Sequence, residues 1–435
     1  MKYNKYPSYR DSGTDWLGSV PNEWNIVRNK QAFNFEKDLV GKKSKDYTLL
    51  SLTLQGIKVR DIEGGKGKFP AEFDTYQKVE KNDIIFCLFD IDETPRTVGL
   101  SSHNGMITGA YNVARCNAKA LPAYMYYYYL SIDEYKGLKP YYTGLRKVVR
   151  TETFMNIQLA LPSLPEQQTI ANYLDSATAK IDTLIEKQTK LIALLKEKRQ
   201  AVISHAVTRG LDNTVAMKDS GVEWLGEIPE HWISTKVKNM LSTPITDGPH
   251  ETPEFLDEGV PFISAEAISQ GYINFNKVRG HITQEANKKY SQKYTPKIHD
   301  VYMIKSGATT GVTAMVEDRI DFNIWSPLAV FRSTSRLNPY YLLNFLRSSN
   351  FQKAVELYWS YGTQQNIGMN VLENLYITIP PIQEQEKIAD YLNDKTSKID
   401  NLISKSIKAI DLLKEKRTSL VSSAVTGKID VREKN

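Results

Sequence analysis

Three polar loops in the second half of the sequence combine glycine with amide, hydroxyl and basic side chains. They run over residues 246–252, 305–311 and 362–366. Amide and hydroxyl groups can form hydrogen bonds to the edges of nucleic-acid bases, whereas lysine and arginine hold phosphates. A plain turn is the competing interpretation of each loop taken alone. The candidate nucleic-acid contacts in these loops are Thr246, Asp247, His250, Thr252, Lys305, Ser306, Thr309, Thr310, Gln364, Gln365 and Asn366.

Basic side chains of the first half offer the same chemistry. Arg96 follows a run of acidic residues, and Arg146, Lys147 and Arg150 belong to a second loop, which matches in position the loop around Gln364. We expect Arg146 and Gln364 to contact bases and Lys147 to contact a phosphate, because only groups that reach base edges can distinguish sequences.

Motifs for catalysis or metal binding are lacking in the sequence. Asn338-Pro339-Tyr340-Tyr341 resembles the Asn-Pro-Pro-aromatic motif of amino-methyltransferases but lacks its second proline, and Asn338 suits the cap of a following helix. The segment 307–311 lacks the lysine of a phosphate-binding loop, and the six histidines show no metal-ligand spacing. We therefore expect neither a catalytic residue nor a metal site in this chain.

Composition limits the class of protein. With 435 residues and 41% hydrophobic content, the chain is expected to form two or three globular domains. No apolar run approaches a membrane span, and the first residues lack a signal-peptide core, so we expect a cytoplasmic protein with no membrane partner. Cys87 and Cys116 are interpreted as packing residues in a reducing compartment. The net charge of +6 permits a polyanionic partner without requiring one.

The elements that must position these loops occur twice in the sequence. Residues 11–24, which contain Trp16-Leu17-Gly18 and Trp24, return 208 positions later with Trp224-Leu225-Gly226 and Trp232. Downstream, Pro162 to Asp212 matches Pro380 to Asp430 with an offset of 218. Two long matches in the same order indicate an internal duplication.

Two dissimilar blocks, 31–159 and 239–377, lie between the repeated segments, and we call them the first head and the second head. Faint correspondence survives, since Asp83-Ile84-Ile85 stands 217 positions before Asp300-Val301-Tyr302. We expect one mixed fold of strands and helices with diverged surface loops, as in recognition domains. Predicted elements are strands at 47–54, 83–89, 260–264 and 300–304, a short helix or strand at 124–130 and a helix at 339–347.

The second repeated segment predicts a long helix in each copy, near residues 166–205 and 384–423. Apolar residues recur there at heptad spacing and mark a seam, which in the first copy contains Ile181, Leu184, Gln188 and Leu191. About 36 residues of helix would extend roughly 55 Å. We expect the two helices to pack antiparallel, with Trp16, Trp24, Trp224 and Trp232 anchoring the heads to them. Six further apolar residues widen the helix faces and are candidates for a partner contact: Ile185, Ile192, Leu194, Ile403, Ile410 and Leu412.

The order of these features resembles the specificity subunit of type I restriction-modification enzymes. The marks are the repeated Trp-Leu-Gly-x-x-Pro-x-x-Trp segment, Pro165-Glu166-Gln167-Gln168 with its copy around Glu384, and long helices that each contain Lys-Glu-Lys-Arg. The resemblance covers essentially the whole chain. It implies an α+β protein with a pseudo-two-fold internal repeat, in which two mixed α/β target recognition domains are separated by two long antiparallel coiled-coil helices.

The same resemblance implies a non-catalytic subunit that binds a bipartite, asymmetric site in double-stranded DNA. Two modification subunits would dock on the helices, and restriction subunits would complete the complex. S-adenosylmethionine, ATP and Mg²⁺ would bind to those partners, with no cofactor in this chain. The expected divisions are 1–159 and 213–377 for the recognition domains, and 160–212 and 378–435 for the helical spacers. Competing hypotheses are a non-catalytic coiled-coil scaffold and a self-sufficient DNA methyltransferase or nuclease.

Overall fold

Each half of the sequence folds into strands and short helices followed by one long helix. The computed structural model describes residues 4–14, 16–61, 72–361 and 365–432. One compact unit comprises residues 1–188 and 408–435, and the other comprises residues 189–407. Each unit therefore contains one head and part of both long helices, which confirms the predicted α+β class.

Elements of the first half follow in chain order. They are β1 (Tyr9–Asp11), β2 (Ser19–Pro21), β3 (Asn25–Arg28), β4 (Phe33–Glu36), β5 (Leu50–Thr53), β6 (Gly56–Val59), β7 (Gln77–Val79), β8 (Ile84–Phe86), β9 (Val98–Leu100), β10 (Gly105–Ile107), β11 (Asn112–Cys116), α1 (Pro122–Glu134), α2 (Thr151–Asn156), β12 (Gln158–Leu161) and α3 (Leu164–Arg209). The strands predicted at 47–54 and 83–89 are present but shorter, and the predicted element at 124–130 belongs to α1.

The second half follows the same outline, with three additional helices in its head. Its elements are β13 (Met217–Asp219), β14 (Glu227–Pro229), β15 (Ile233–Lys236), β16 (Thr246–Asp247), β17 (Val260–Ile263), α4 (Ala265–Ile268), β18 (Gly280–Ile282), α5 (Gln284–Ser291), β19 (Val301–Ile304), β20 (Thr313–Met315), β21 (Asn323–Ile324), β22 (Leu328–Phe331), α6 (Pro339–Leu346), α7 (Ser349–Leu357), β23 (Ser360–Tyr361), β24 (Gln365–Asn366), α8 (Met369–Asn374), β25 (Tyr376–Ile379) and α9 (Ile382–Val425). The Asn338 side chain caps α6 by accepting from the backbone N–H of Tyr340 at 2.9 Å, as predicted.

A four-stranded antiparallel sheet forms the centre of each head. The strand order is β4-β11-β8-β9 in the first head and β16-β22-β19-β20 in the second. In both heads a buried aspartate beside the sheet forms an ion pair with an arginine at the equivalent position: Asp83 with Arg115 at 3.0 Å, and Asp300 with Arg332 at 2.7 Å. Because an uncompensated buried charge is costly, this shared pair supports the predicted common fold of the heads.

Strand direction in these sheets decides where the polar loops lie. Since β4 and β8 are both antiparallel to β11, they point the same way, and so do β16 and β19 on either side of β22. The chain therefore leaves both strands of each pair at the same edge of the sheet. In the second head, the loops after Asp247 and Ile304 both begin at that edge.

The two long helices run antiparallel to each other. In the first unit the Arg417 guanidinium contacts Asp182 at 3.0 Å, and in the second unit Arg199 contacts Asp400 at 2.9 Å. The later residue of α3 therefore contacts the earlier residue of α9, as expected for antiparallel helices. These helices contain 46 and 44 residues, or roughly 69 and 66 Å, so they are longer than the sequence pattern predicted.

The inner face of the helices differs from the predicted seam. Leu184 and Leu191 were assigned to the seam, but they are 47% and 42% exposed, whereas Ile185 and Ile192 are half-buried. The inward positions therefore follow 181, 185, 188, 192 and 195. The heptad spacing was correct, but the register was wrong by one residue at two positions, because leucine and isoleucine stand side by side there.

The predicted tryptophan anchors are confirmed for one tryptophan of each pair. Trp24 and Trp232 are buried in the cores that join a head to the long helices. The Trp24 indole N–H donates to Glu166 of α3 at 3.0 Å, but the indole N–H of Trp232 is buried without a hydrogen-bond partner. Trp16 and Trp224 are half-buried and contact aromatic rings of their own heads, Tyr128 and Phe351.

Both ends of the described chain meet in the first unit. Asn4 forms an antiparallel bridge with Asp430, and the Tyr9 hydroxyl donates to the backbone carbonyl of Gly427 at 3.0 Å. In the second unit the equivalent junction is covalent, where the chain runs from Gly210 at the end of α3 into β13. Gly210 and Gly427 both adopt a left-handed conformation, with φ of 77° and 72°, which stops each helix.

Candidate functional site

The predicted polar loops of the second head come together at one edge of its central sheet. Ser306 forms a backbone bridge with Asn366, and the Gly307 N–H donates to the Gln365 carbonyl at 3.0 Å. A third backbone bond, from Ile367 N–H to the Lys305 carbonyl at 2.9 Å, fixes the end of the hairpin formed by β23 and β24. Gln364 lies outside the described residues.

Asp247 is the anionic centre of this cluster. Its side chain is completely buried at the end of β16. One carboxylate oxygen forms an ion pair with Lys293, and the other lies 3.1 Å from His250 Nε2 and 3.4 Å from Lys305 Nζ. A buried carboxylate requires such partners to offset its desolvation. Asp247 therefore fixes basic side chains at the surface without being part of that surface.

The exposed fraction of each side chain shows which members of this cluster a ligand could reach. The His250 side chain is 72% exposed and that of Lys293 is 47% exposed, whereas Lys305 is only 12% exposed. Thr252, Thr309 and Asn366 are exposed, and Thr246, Ser306, Thr310 and Gln365 are half-buried. Sequence reasoning missed Lys293. The signal that could have identified it is the run of lysines at 288, 289 and 293.

The first head builds the same framework with different residues. Thr143 and Val148 close a hairpin through two backbone hydrogen bonds of 3.0 and 3.1 Å. The Asp90 N–H donates to the Arg146 carbonyl at 2.9 Å, just as Gly307 donates to Gln365 in the second head. Asp90 has a φ of 47° and Gly307 a φ of 107°, so both donors occupy the left-handed region at equivalent positions.

A second bond fixes the far end of each hairpin to the same loop. In the first head the Val149 N–H donates to the Leu88 carbonyl at 2.8 Å, which matches the bond from Ile367 to Lys305 in the second head. A hairpin is thus tied in both heads to the loop that follows the third strand of the sheet.

The four basic candidates of the first head have different surroundings. Lys147 contacts Glu93 at 3.2 Å and Asp92 at 3.3 Å, and these hydrogen bonds raise its pKa. Arg96 is 17% exposed and contacts Asp133 and Glu134 at 3.4 and 3.3 Å, so its charge is compensated within the chain. The side chains of Arg146 and Arg150 are exposed. They are the better placed to meet an external anion.

The six candidate partner contacts on the long helices divide into two groups. Ile185, Ile192, Ile403 and Ile410 are half-buried. Leu194 and Leu412, which are equivalent positions of the two copies, are 52% and 64% exposed. Additional exposed apolar side chains on the same helices are Leu184, Leu191, Leu402 and Ile407.

Two further observations concern metals and membranes. Within residues 4–14, 16–61, 72–361 and 365–432, no group of three or more histidine, cysteine, aspartate or glutamate side chains is arranged to hold a metal ion. The helices of this described part include none that is both long and apolar enough to cross a bilayer.

Comparison with known families agrees with this duplicated architecture. The family described as "Type I restriction modification DNA specificity domain" matches residues 21–194 and again residues 242–411. The two matches cover nearly all of both heads and the larger part of both long helices. The chain belongs to this family.

Individual relatives span different shares of the chain. The MjaVIII specificity subunit of Methanocaldococcus jannaschii is 25% identical over 96% of this chain and 95% of its own length. The EcoBI specificity subunit of Escherichia coli is 24% identical over 65% of this chain and 60% of its own length.

Solved structures share the fold at low sequence identity. A chain described under "complex assembly and conformational transition of the type I R-M system" superposes with a TM-score of 0.71, at 17% identity over 93% of this chain and 98% of its own. The HsdS subunit of Thermoanaerobacter tengcongensis gives 0.54, also at 17% identity, over 94% of this chain and 98% of its own. This likeness confirms the fold of two mixed α/β heads and long paired helices.

Proposed function

We propose that this chain recognises a bipartite, asymmetric sequence in double-stranded DNA, with each head binding one half. The observation that carries the proposal is the repeated framework at the sheet edge. Both heads tie a hairpin to the loop after the third strand with the same two backbone hydrogen bonds, but present different side chains. A common support with different exposed groups is expected of two domains that select different base sequences.

The surfaces support different contacts in the two heads. The second head offers Lys293 and His250 around buried Asp247, together with the amide of Gln365. The first head offers the exposed guanidinium groups of Arg146 and Arg150. Arginine contacts guanine in a bidentate way and glutamine contacts adenine, so the halves of the target would differ in base composition.

Exchange of one head tests this proposal. The full chain would be expressed with its modification subunits, and the methylated sites would be mapped by sequencing. Replacing residues 239–377 with the second head of a related subunit should alter one half of the methylated sequence and leave the other half unchanged. A methylated sequence that does not change after the exchange would contradict the proposal.

The long helices set the gap between the two halves in this proposal. Asp182 and Arg199 are 17 residues apart on α3, and their partners Arg417 and Asp400 are 17 residues apart on α9. Deleting about seven residues from each helix between these positions keeps both ion pairs in register and removes roughly 10 Å. The gap should shorten by about three base pairs while both half-sites persist. Deletion from α3 alone is the control, because it breaks the register.

Modification subunits are proposed to bind to the exposed apolar residues of the long helices. Leu194 and Leu412 occupy equivalent positions and are the leading contacts, since the neighbouring isoleucines are partly covered within this chain. Two copies of one modification subunit would bind to the duplicated faces. Leu194→Asp with Leu412→Asp should abolish the two-to-one complex on a sizing column. Leu54→Asp, at a residue 61% exposed in the first head, is the matched control. We propose no catalytic role for the chain itself.

A further inference from the structure

Exposed apolar side chains are concentrated beside the hairpins at the sheet edges. Among the large apolar residues of the described chain, Leu145 is the most exposed, at 102%, and Leu357 is next, at 73%. Leu145 lies at the tip of the 143–148 hairpin of the first head. Leu357 ends α7, three residues before the corresponding hairpin of the second head begins at Ser360. Single exposed leucines are common on protein surfaces, and of these two only Leu145 lies at a hairpin tip, so Leu145 alone is the candidate contact.

The hairpin that carries Leu145 is fixed from several sides. Thr143 and Val148 bond to each other, and backbone bonds attach Arg146 to Asp90 and Val149 to Leu88. The tip turns through Gly144, with a φ of 75°, and Lys147, with a φ of 44°. A left-handed conformation is unfavourable for lysine, so the surrounding contacts must impose it. Leu145 is thus held outward on a braced turn.

Among the described residues at the tip, one cation is left for a polyanion. Lys147 and Lys139 are paired with acidic side chains, since both ammonium groups lie 3.3 Å from Asp92 and that of Lys147 also lies 3.2 Å from Glu93. Arg146, next to Leu145, is exposed, and within the described part of the chain it makes no side-chain hydrogen bond or ion pair. An apolar group with a free guanidinium beside it combines the two contacts that wedge-forming proteins make with DNA, insertion of an apolar side chain at a base step and an arginine contact to base edges.

We propose that Leu145 is an apolar wedge that inserts between two base pairs in the half-site bound by the first head. The inference rests on the proposed DNA-recognition function. Separating stacked bases costs free energy, so a wedge needs a rigid support, which the braced hairpin provides. Arg146 would contact base edges beside the opened step.

Fluorescence of 2-aminopurine tests insertion directly, because its emission is quenched in a stack and rises when the base is unstacked. The full chain with its modification subunits would be bound to duplexes that contain the methylated sequence, with 2-aminopurine at successive positions of the first half-site. One position should brighten several-fold with the natural chain. Leu145→Ala should abolish that increase, and Leu145→Met, which retains a long apolar side chain, should restore it.

An abasic site supplies the second measurement. Placed at the bright position, it removes the stacking that must be broken, so the natural chain should bind roughly tenfold more tightly while Leu145→Ala gains little. No brightening at any position, together with unchanged affinity of Leu145→Ala in anisotropy titrations, would overturn the wedge and leave DNA recognition intact. Absence of binding to the methylated sequence would instead overturn the proposed function. If Leu145→Ala weakened only assembly with modification subunits, Leu145 would be a protein contact and the wedge would be wrong.

Discussion

Trp24 and Trp232 occupy equivalent places in the two units, but only the indole N–H of Trp24 has a hydrogen-bond partner. The Trp24 indole donates to the Glu166 carboxylate at 3.0 Å, whereas Glu384, the equivalent of Glu166, contacts His231 at 2.8 Å instead. Trp232 is left with a buried N–H that has no hydrogen-bond partner. We predict that Trp24→Phe destabilises its unit much more than Trp232→Phe does.

The magnitude follows from what each substitution removes. Both lose the same indole volume, so the cost of the cavity largely cancels in the comparison. Trp24→Phe also loses a buried hydrogen bond to a charged group, about 1.5 to 3 kcal/mol, while Trp232→Phe removes an unsatisfied donor that costs about 1 kcal/mol or more. The free energies of unfolding should therefore differ by about 2.5 to 4 kcal/mol.

Native-state hydrogen exchange is the suitable assay, because a chain of two units need not unfold in a single step. Peptides around residue 24 should exchange roughly a hundredfold faster in Trp24→Phe, since 1.4 kcal/mol corresponds to a factor of ten. Peptides around residue 232 should change far less in Trp232→Phe. In a Glu166→Gln background, the extra cost of Trp24→Phe should fall by about half, because a neutral acceptor binds more weakly. Equal acceleration by the two tryptophan substitutions would refute the reasoning.

Three further predictions concern DNA contacts and pH. Arg146→Ala should reduce discrimination at one position of the first half-site by about 1 to 3 kcal/mol in competition binding, and unchanged discrimination would exclude a base contact. Lys293→Gln should weaken binding to all sequences alike and lower the slope of affinity against salt concentration by about one, because its half-exposed ammonium group would contact a phosphate. Burial raises the pKa of the Cys116 thiol to about 12. The unfolded thiol ionises near pH 8.5 and the folded one does not, so its contribution is complete below pH 8.5 and is lost as the pH rises toward 12. Urea unfolding at pH 10 should show about 2 kcal/mol less loss of stability, relative to pH 8, in Cys116→Ala than in the natural chain.

The duplication and the elements at its ends could be predicted from the sequence because they depend on local chemistry. Asn338 before Pro339 predicted a capped helix start, and the structure has that cap. The seam was harder, because Leu184 and Ile185 are both apolar and a heptad pattern cannot choose between adjacent residues. Only packing against the second helix decides which of the two is covered.

The candidate site shows the same limit more strongly. Position in a loop indicated that Asp247 and Arg96 were accessible, but their accessibility depends on partners far away in the sequence. Asp247 meets Lys293, 46 residues later, and Arg96 meets Asp133 and Glu134. Long-range ion pairs leave no periodic signal in the sequence, so residues that organise a surface cannot be separated from residues that form it.

The backbone bridge between Asn4 and Asp430 means that the contacts within each unit do not depend on which half comes first in the sequence. One unit is closed by a peptide link after Gly210, and the other by hydrogen bonds of Asn4 and Tyr9 with residues 427–430 at the equivalent structural position. A chain that runs from Asp430 through a short linker into Asn4, and that is opened near Thr214 instead, would keep the same contacts within each unit. Recombination between relatives could then swap or reorder whole halves without disturbing either junction, so new pairings of heads would arise by shuffling instead of by slow change within one interface.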